Sequence, residues 1–383
     1  GQGSYVEEDL GPVTSGPIKK SETLKADRTV FNKEPDRAIG KFISAVYNVD
    51  RNTTKQKPMV VEMNGYDLTL RTKGMKYDMR RTANIYVDSN AHINIMNSDP
   101  AKKLVISSVN HSRVAADGVL LDQNGHLYVQ GPVEIDGIVT EQGDGARGIH
   151  LYRQMGEAVF DGPLTIRDIH GAADNTGVNV AGILATGDDS VIRVNGVVDI
   201  SGVQGSALKT SGAKTEISVG GGRIIAAEDA DRSNDHYAAR VNKGTININM
   251  KDGAPGTETT VIEGDMFVTG ETGKKVIEYT QGKKFNEYTE KGELNVALVD
   301  KDSRWTGVQA YDEYRVNLGG DGSGGYQQYE SGDLNLYLQN GATWENRAQS
   351  HITTTTVKEA EYEGSHVNRR RIRRQSGQHL PAG

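Results

Sequence analysis

From Ile85 onward the chain is a succession of short apolar alternations cut by turn dipeptides, and the alternations recur in register. Gly131, Gly162, Gly196 and Gly221 anchor the recurrence at steps of 31, 34 and 25 residues. Two positions before each anchor stand Val129, Phe160, Val194 and Val219, and four before stand Leu127, Ala158, Ile192 and Ile217. Four positions after stand Ile135, Ile166, Ile200 and Ile225. Two after stand Val133, Leu164 and Val198, with Arg223 interrupting the column beside the Gly220-Gly221-Gly222 run, where a bulge is expected. A further apolar start precedes the first three anchors: Gly118-Val119-Leu120-Leu121, Gly148-Ile149-His150-Leu151 and Gly182-Ile183-Leu184-Ala185. Period-2 alternation buries one side of a strand and leaves the other in solvent, so each repeat reads as several short strands. Asn124-Gly125, Asn195-Gly196, Asn340-Gly341, Asp117-Gly118, Asp136-Gly137, Asp161-Gly162 and Asp252-Gly253 suit positive φ and supply turns. No segment keeps helical spacing over three turns, and very little helix is expected.

Turn dipeptides alone do not separate a hairpin sandwich from a solenoid. The recurrence does, because a sandwich has no reason to repeat the same apolar columns every 25–34 residues. Stacked coils bury such columns only against neighbouring coils. The expected fold is therefore all-β, a parallel β-helix. Coils of about 25 residues over 83–356 would number about eleven and make a rod about 50 Å long. Residues 1–40 carry no sustained period and read as an irregular N-terminal segment or cap. Residues 41–363 read as the β-helix, with loop insertions towards its C-terminal half, and 364–383 as a basic tail that is disordered or foreign to the fold.

Composition agrees with a thin core. The 383 residues include 46 Gly, 5 Phe and 2 Trp, where a compact domain of this size would use more large aromatics. Cysteine is absent, which excludes disulfides, Cys-ligated zinc and thiol catalysis. The formal charge is −7, yet five arginines lie within Arg369–Arg374, leaving 39 basic against 51 acidic residues elsewhere. An acidic body argues against nucleic acid as a partner. No stretch reaches the roughly 18 apolar residues of a membrane span. The opening GQGSYVEEDLG has neither an initiator Met nor a signal pattern, so the chain is expected to begin after a cleavage or to be a fragment.

Catalytic chemistry finds little purchase. In Gly319-Gly320-Asp321-Gly322-Ser323-Gly324-Gly325 a glycine separates Asp from Ser, unlike the serine-protease Gly-Asp-Ser-Gly, and nothing marks a partner His or Asp. The same stretch is a single Gly/Asp-rich copy, without the successive loops that stacked calcium repeats need. β-Helical polysaccharide lyases and hydrolases align carboxylates on successive coils. Here the position three after the anchors reads Glu134, Thr165, Asp199, Ile224, and the position one before reads Gln130, Asp161, Asn195, Gly220. Neither is a carboxylate array, and Asp188-Asp189 follow Gly187 as ordinary turn residues. His150, His170 and His236 lack metal-ligand spacing and read as loop or outward-strand residues. Of 16 Tyr, several concentrate in the insertions about 279–329, among them Tyr279, Tyr288, Tyr311, Tyr314, Tyr326 and Tyr329. Clustered exposed Tyr suits contacts with proteins or sugars.

Towards the C-terminus, LVDKDSRWTG (298–307) and LNLYLQNGATWENRA (334–348) each run an apolar strand into a turn and then Ser/Ala-x-Trp, and GSHV occupies 364–367. These motifs, with the repeat from about 85 to 367, resemble the passenger coils of classical bacterial autotransporters of the type V secretion pathway. The resemblance implies a right-handed β-helix, export across the outer membrane of a diderm bacterium, and display at the cell surface or release from it. It implies an adhesin acting in cell–cell aggregation, biofilm or host-surface binding. Partners would be a host or bacterial surface protein or glycan, a second copy of the chain, and the outer-membrane barrel of the same precursor, which this sequence does not contain. The tail NRRRIRRQSGQHLPAG departs from the coil pattern. The expectation is thus a protein without catalysis, cofactor or metal, with Tyr311, Tyr314, Tyr326 and Tyr329 as candidate ligand contacts. The alternative is a polysaccharide lyase or hydrolase on the same scaffold.

Overall fold

A computed structural model describes residues 13–32, 43–73, 81–109, 115–141, 145–172, 177, 179–226, 235–270, 291–310, 312–316, 326–330, 332–346, 350–352, 356–359, 366–367 and 372–374. Among them there is no helix, and three parallel sheets of 12, 9 and 11 strands run the length of the molecule. The architecture is a right-handed parallel β-helix. We call the sheets I, II and III in that order. One coil visits III, I and II in turn, as in His126–Val129, Val133–Val139 and Gly145–Leu151, before Glu157–Phe160 returns to sheet III.

The alternation does what the pattern predicts on sheets I and III. Glu157–Phe160 alternates outward and buried positions, and Leu164–His170 begins in the same way. The inward side chains stack rung on rung: Leu127 pairs with Ala158, and Val129 with Phe160, then Val194, then Val219. Leu127, Val129, Ile135, Phe160, Ile166, Val194, Ile200 and Val219 are all 3% exposed or less. Sheet II differs: Ala115–Leu121 and Gly145–Leu151 are buried at every position, on both faces.

One column residue is corrected. Ile200 is in register with Ile224, not Ile225, and Ile224 is fully buried while Ile225 is half-buried. The III-to-I corner loses a residue at this coil, passing from Val219 to Gly222 where the coil below passes from Val194 to Val198. The feature is a deletion rather than a bulge. The glycine stack accordingly runs Gly131, Gly162, Gly196, Gly220. A Cβ on Gly196 would lie 2.4 Å from the carbonyl carbon of Gly162, and one on Gly220 would lie 2.3 Å from the Gly196 oxygen. Only glycine lets the backbone corners approach that closely. The outward column is corrected with it, since Arg223 follows Asp199 and pairs with it at 3.4 Å.

Coils are longer and less even than 25 residues. On sheet III, Ile93, Leu127, Ala158, Ile192, Ile217, Ile246, Leu294 and Leu334 are successive register partners, at steps from 25 to 48 residues. Eleven strands of sheet III run from Glu22 to Glu359, about 50 Å at one rung per 4.8 Å. Pairing also extends into the end segments. Val13–Ser15, Glu22–Thr23 and Arg28–Phe31 lie in sheets I and III, His366–Val367 continues sheet I, and Ile372–Arg374 pairs parallel with Ser350–Ile352.

Trp305 and Trp344 are register partners on sheet I, where Ile262 occupies the rung below. Both are wholly buried and stack with ring centroids 4.5 Å apart and planes 5° from parallel. Their indole N–H groups donate to the Gly264 and Gly307 carbonyls at 2.9 and 3.1 Å. The two Ser/Ala-x-Trp motifs therefore occupy one core column.

Candidate binding face on sheet III

The outward positions of sheet III form ladders. Ser218, Asn247, Asn295 and Asn335 are successive register partners, each half-exposed because the Ile, Val or Leu on either side of it points into the core. Their side chains are joined along the axis. Asn335 donates from Nδ2 to Asn295 Oδ1 at 2.9 Å, Asn295 to Asn247 Oδ1 at 2.8 Å, and Asn247 to Ser218 Oγ at 3.0 Å. The Ser218 hydroxyl donates to Glu216 at 2.7 Å. Parallel in-register strands place identical amides one rung apart, the spacing at which such side chains bond to one another.

A groove of about 460 Å³ opens at the lower end of this ladder, with Arg193, Glu216, Ser218 and Asn247 on its floor. Its wall is the hairpin Met250–Lys251 with Ala254–Pro255, turned by Asp252 and Gly253 at φ 50° and 77°. Positive φ at both centres is what the Asp-Gly dipeptide supplies. Asn249, 4% exposed, fixes the hairpin base by donating to the Glu258 and Ala297 carbonyls at 3.0 and 3.1 Å. Arg193 and Glu216 pair across the floor at 3.6 Å. Two rungs below Arg193, Tyr128 bonds to Asp161, which also accepts from Asn195 at 2.5 Å.

Tyr311 lies outside the described residues, as do Tyr279 and Tyr288. Tyr314, Tyr326 and Tyr329 lie in an antiparallel hairpin, Asp312–Val316 with Tyr326–Glu330, in which Tyr314 faces Gln328, Val316 faces Tyr326 and Glu313 faces Tyr329. The ladder was missed by sequence reasoning, although the signal was present: INI, LNV and LNL each set Asn between two inward apolar residues.

His170 is exposed on an outward strand end, and His236 approaches the Gln204 and Gly205 carbonyls. His150 is different. It faces away from the core on sheet II yet is only 4% exposed, beside buried Asp117 and Arg147. Arg147 Nε donates to Asp117 at 2.7 Å, Arg81 lies 3.3 Å away, and His150 Nδ1 lies 3.5 Å away. Burial alone would raise the Asp117 carboxyl, but Arg147, His150 and Arg81 outweigh it and hold the group well below the carboxylate range. Burial, then Arg147, pushes His150 from 6.5 down to about 4 against the pull of Asp117.

The folded protein therefore keeps His150 neutral, while the unfolded chain takes up its proton near 6.5. Stability falls as pH is lowered from 6.5 towards 4. Urea midpoints should decline faster between pH 6.5 and 5 for wild type than for His150→Leu, whose side chain suits a column flanked by Leu120 and Leu184. Equal slopes would contradict the assignment.

Sequence separation also hid a histidine contact. His92 and His126, register partners on sheet III, stack at 4.3 Å. On sheet I, Asp136 is raised by burial and by a hydrogen bond and repulsion from Asp168 on the next coil. Among the described residues no group of three or more His, Asp or Glu is placed to hold a metal ion. Comparisons with protein families, curated proteins and solved structures found no match to this chain.

Proposed function

We propose that this chain is a surface-displayed binding solenoid, an adhesin in the manner of an autotransporter passenger, which acts by contact and not by catalysis. The observation that carries the reading is the exterior of sheet III. It presents hydrogen-bonding groups at rung spacing beside a groove, where catalysis would need convergent acids and bases of separated pKa. The resemblance of the two Trp-bearing segments to passenger coils supports the same reading. A rod with regular outward ladders makes many weak contacts, which multiply when many copies are displayed.

The test uses beads coated with the full chain, mixed with epithelial cells and with diderm bacteria. Retention above carrier-coated beads, competed by soluble chain, is expected. Beads that bind no cell and do not clump would remove the proposal. Exchange of Tyr311, Tyr314, Tyr326 and Tyr329 for Ser separates the surfaces: lost retention assigns contact to the hairpin, and unchanged retention leaves sheet III.

A further inference from the structure

We infer that the Ser218–Asn247–Asn295–Asn335 ladder is a subsite for an uncharged, extended polysaccharide lying along the solenoid axis. The inference rests on the adhesin reading and names its ligand class. Each amide donates one N–H within the ladder, and Asn247 and Asn295 also accept one hydrogen bond there. Among the described residues the second N–H of each has no partner, and each of the three side chains belongs to a half-exposed residue. The face thus offers a neutral donor, with acceptor lone pairs beside it, once per rung of about 4.8 Å. That spacing is commensurate with successive sugar rings, each of which carries hydroxyls that donate and accept.

Charge selects among polymers. The ladder itself is uncharged, and the neighbouring outward column carries Glu216, Thr245, Glu293 and Asp333. Arg193 pairs with Glu216 and Lys291 with Asp333 at 2.8 Å, while Glu293 is exposed. Uronates or sulfates laid there would meet an acidic border, so a polyanion is disfavoured. The surface also lacks what a peptide would use. A sheet face has no free edge for strand addition, and the described outward positions of this strip are Ser and Asn rather than the apolar groups that hold an anchoring side chain. At its upper end half-buried Tyr337 stands one outward position beyond Asn335. The amides hold one another in place, so little side-chain freedom remains to be lost on binding.

The test is affinity electrophoresis of the full chain in gels containing hydroxyethylcellulose, galactomannan or laminarin, with polygalacturonate and chondroitin sulfate as acidic controls. Retardation by at least one neutral polymer is expected, and none by the acidic ones. Asn295→Asp and Asn335→Asp, with unchanged urea midpoints, should weaken that retardation roughly tenfold through a lost donor and an added charge. Retardation by no neutral polymer, preference for the acidic ones, or variants that bind like wild type would each overturn the inference. Bead retention on cells is read in parallel. Retention without neutral-polymer binding sinks the subsite and leaves the adhesin reading, whereas neutral-polymer binding without retention does the reverse.

Discussion

Asp117→Ala should destabilise the protein by about 3–5 kcal/mol, because it leaves buried cations without their anion. Asp117 is 1% exposed and Arg147 6%, and Arg147, Arg81 and His150 all converge on the one carboxylate. The carboxylate keeps two guanidinium groups tolerable within a sheet whose strands are buried on both faces. Its loss uncovers the full desolvation cost of Arg147, which also donates to the Asn179 carbonyl at 2.9 Å and cannot easily swing out. Urea unfolding followed by circular dichroism measures the effect. Asp117→Leu combined with Arg147→Leu should recover part of it, since apolar replacement of a buried pair is often close to neutral. A loss below about 1 kcal/mol for Asp117→Ala would mean that water reaches the cluster.

Trp344→Ala should cost a similar amount, about 3–5 kcal/mol, and the loss should be local. The indole is wholly buried, stacked on Trp305, and bonded to Gly307. Truncation opens a cavity that coils built from backbone ladders cannot close, and leaves the Gly307 carbonyl without its donor. In a solenoid each coil leans only on its neighbours, so damage should not spread far along the axis. Hydrogen exchange is the appropriate measurement. Protection should fall in Glu293–Leu298 and Asp333–Leu338 and persist in His126–Val129 and Val191–Val194. A uniform loss over all coils would mean that the rod unfolds as a single unit.

The core columns were legible because three successive corners between sheets III and I have equal length, so a fixed offset from Gly131, Gly162 and Gly196 finds the same rung position. That fixed offset breaks at Ile225, where three consecutive glycines conceal a one-residue deletion. Coil length was misjudged for a related reason: connecting segments of variable length carry no apolar period, so spacing cannot measure them. The outward Asn of each strand was visible, but its stacking into a ladder was hidden by the same cause. Asn247 and Asn295 are 48 residues apart and Asn295 and Asn335 are 40 apart, and only the pairing register shows them to be neighbours. His150 was read as outward, and it does face outward. What sequence alone could not give was that sheet II is buried on that side as well.

The amide ladder also has a direction. Asn335 gives to Asn295, Asn295 to Asn247, Asn247 to Ser218 and Ser218 to Glu216, so the hydrogen bonds run head to tail toward the earlier coils and end on a carboxylate. Bonds aligned in this way polarise one another, as peptide dipoles do along a helix. A polymer laid along the strip meets donors and acceptors in one order when it runs up the rod and in the reverse order when it runs down. A polymer bound as proposed would therefore have its two ends distinguished by the face, and rods sharing one filament would all point the same way.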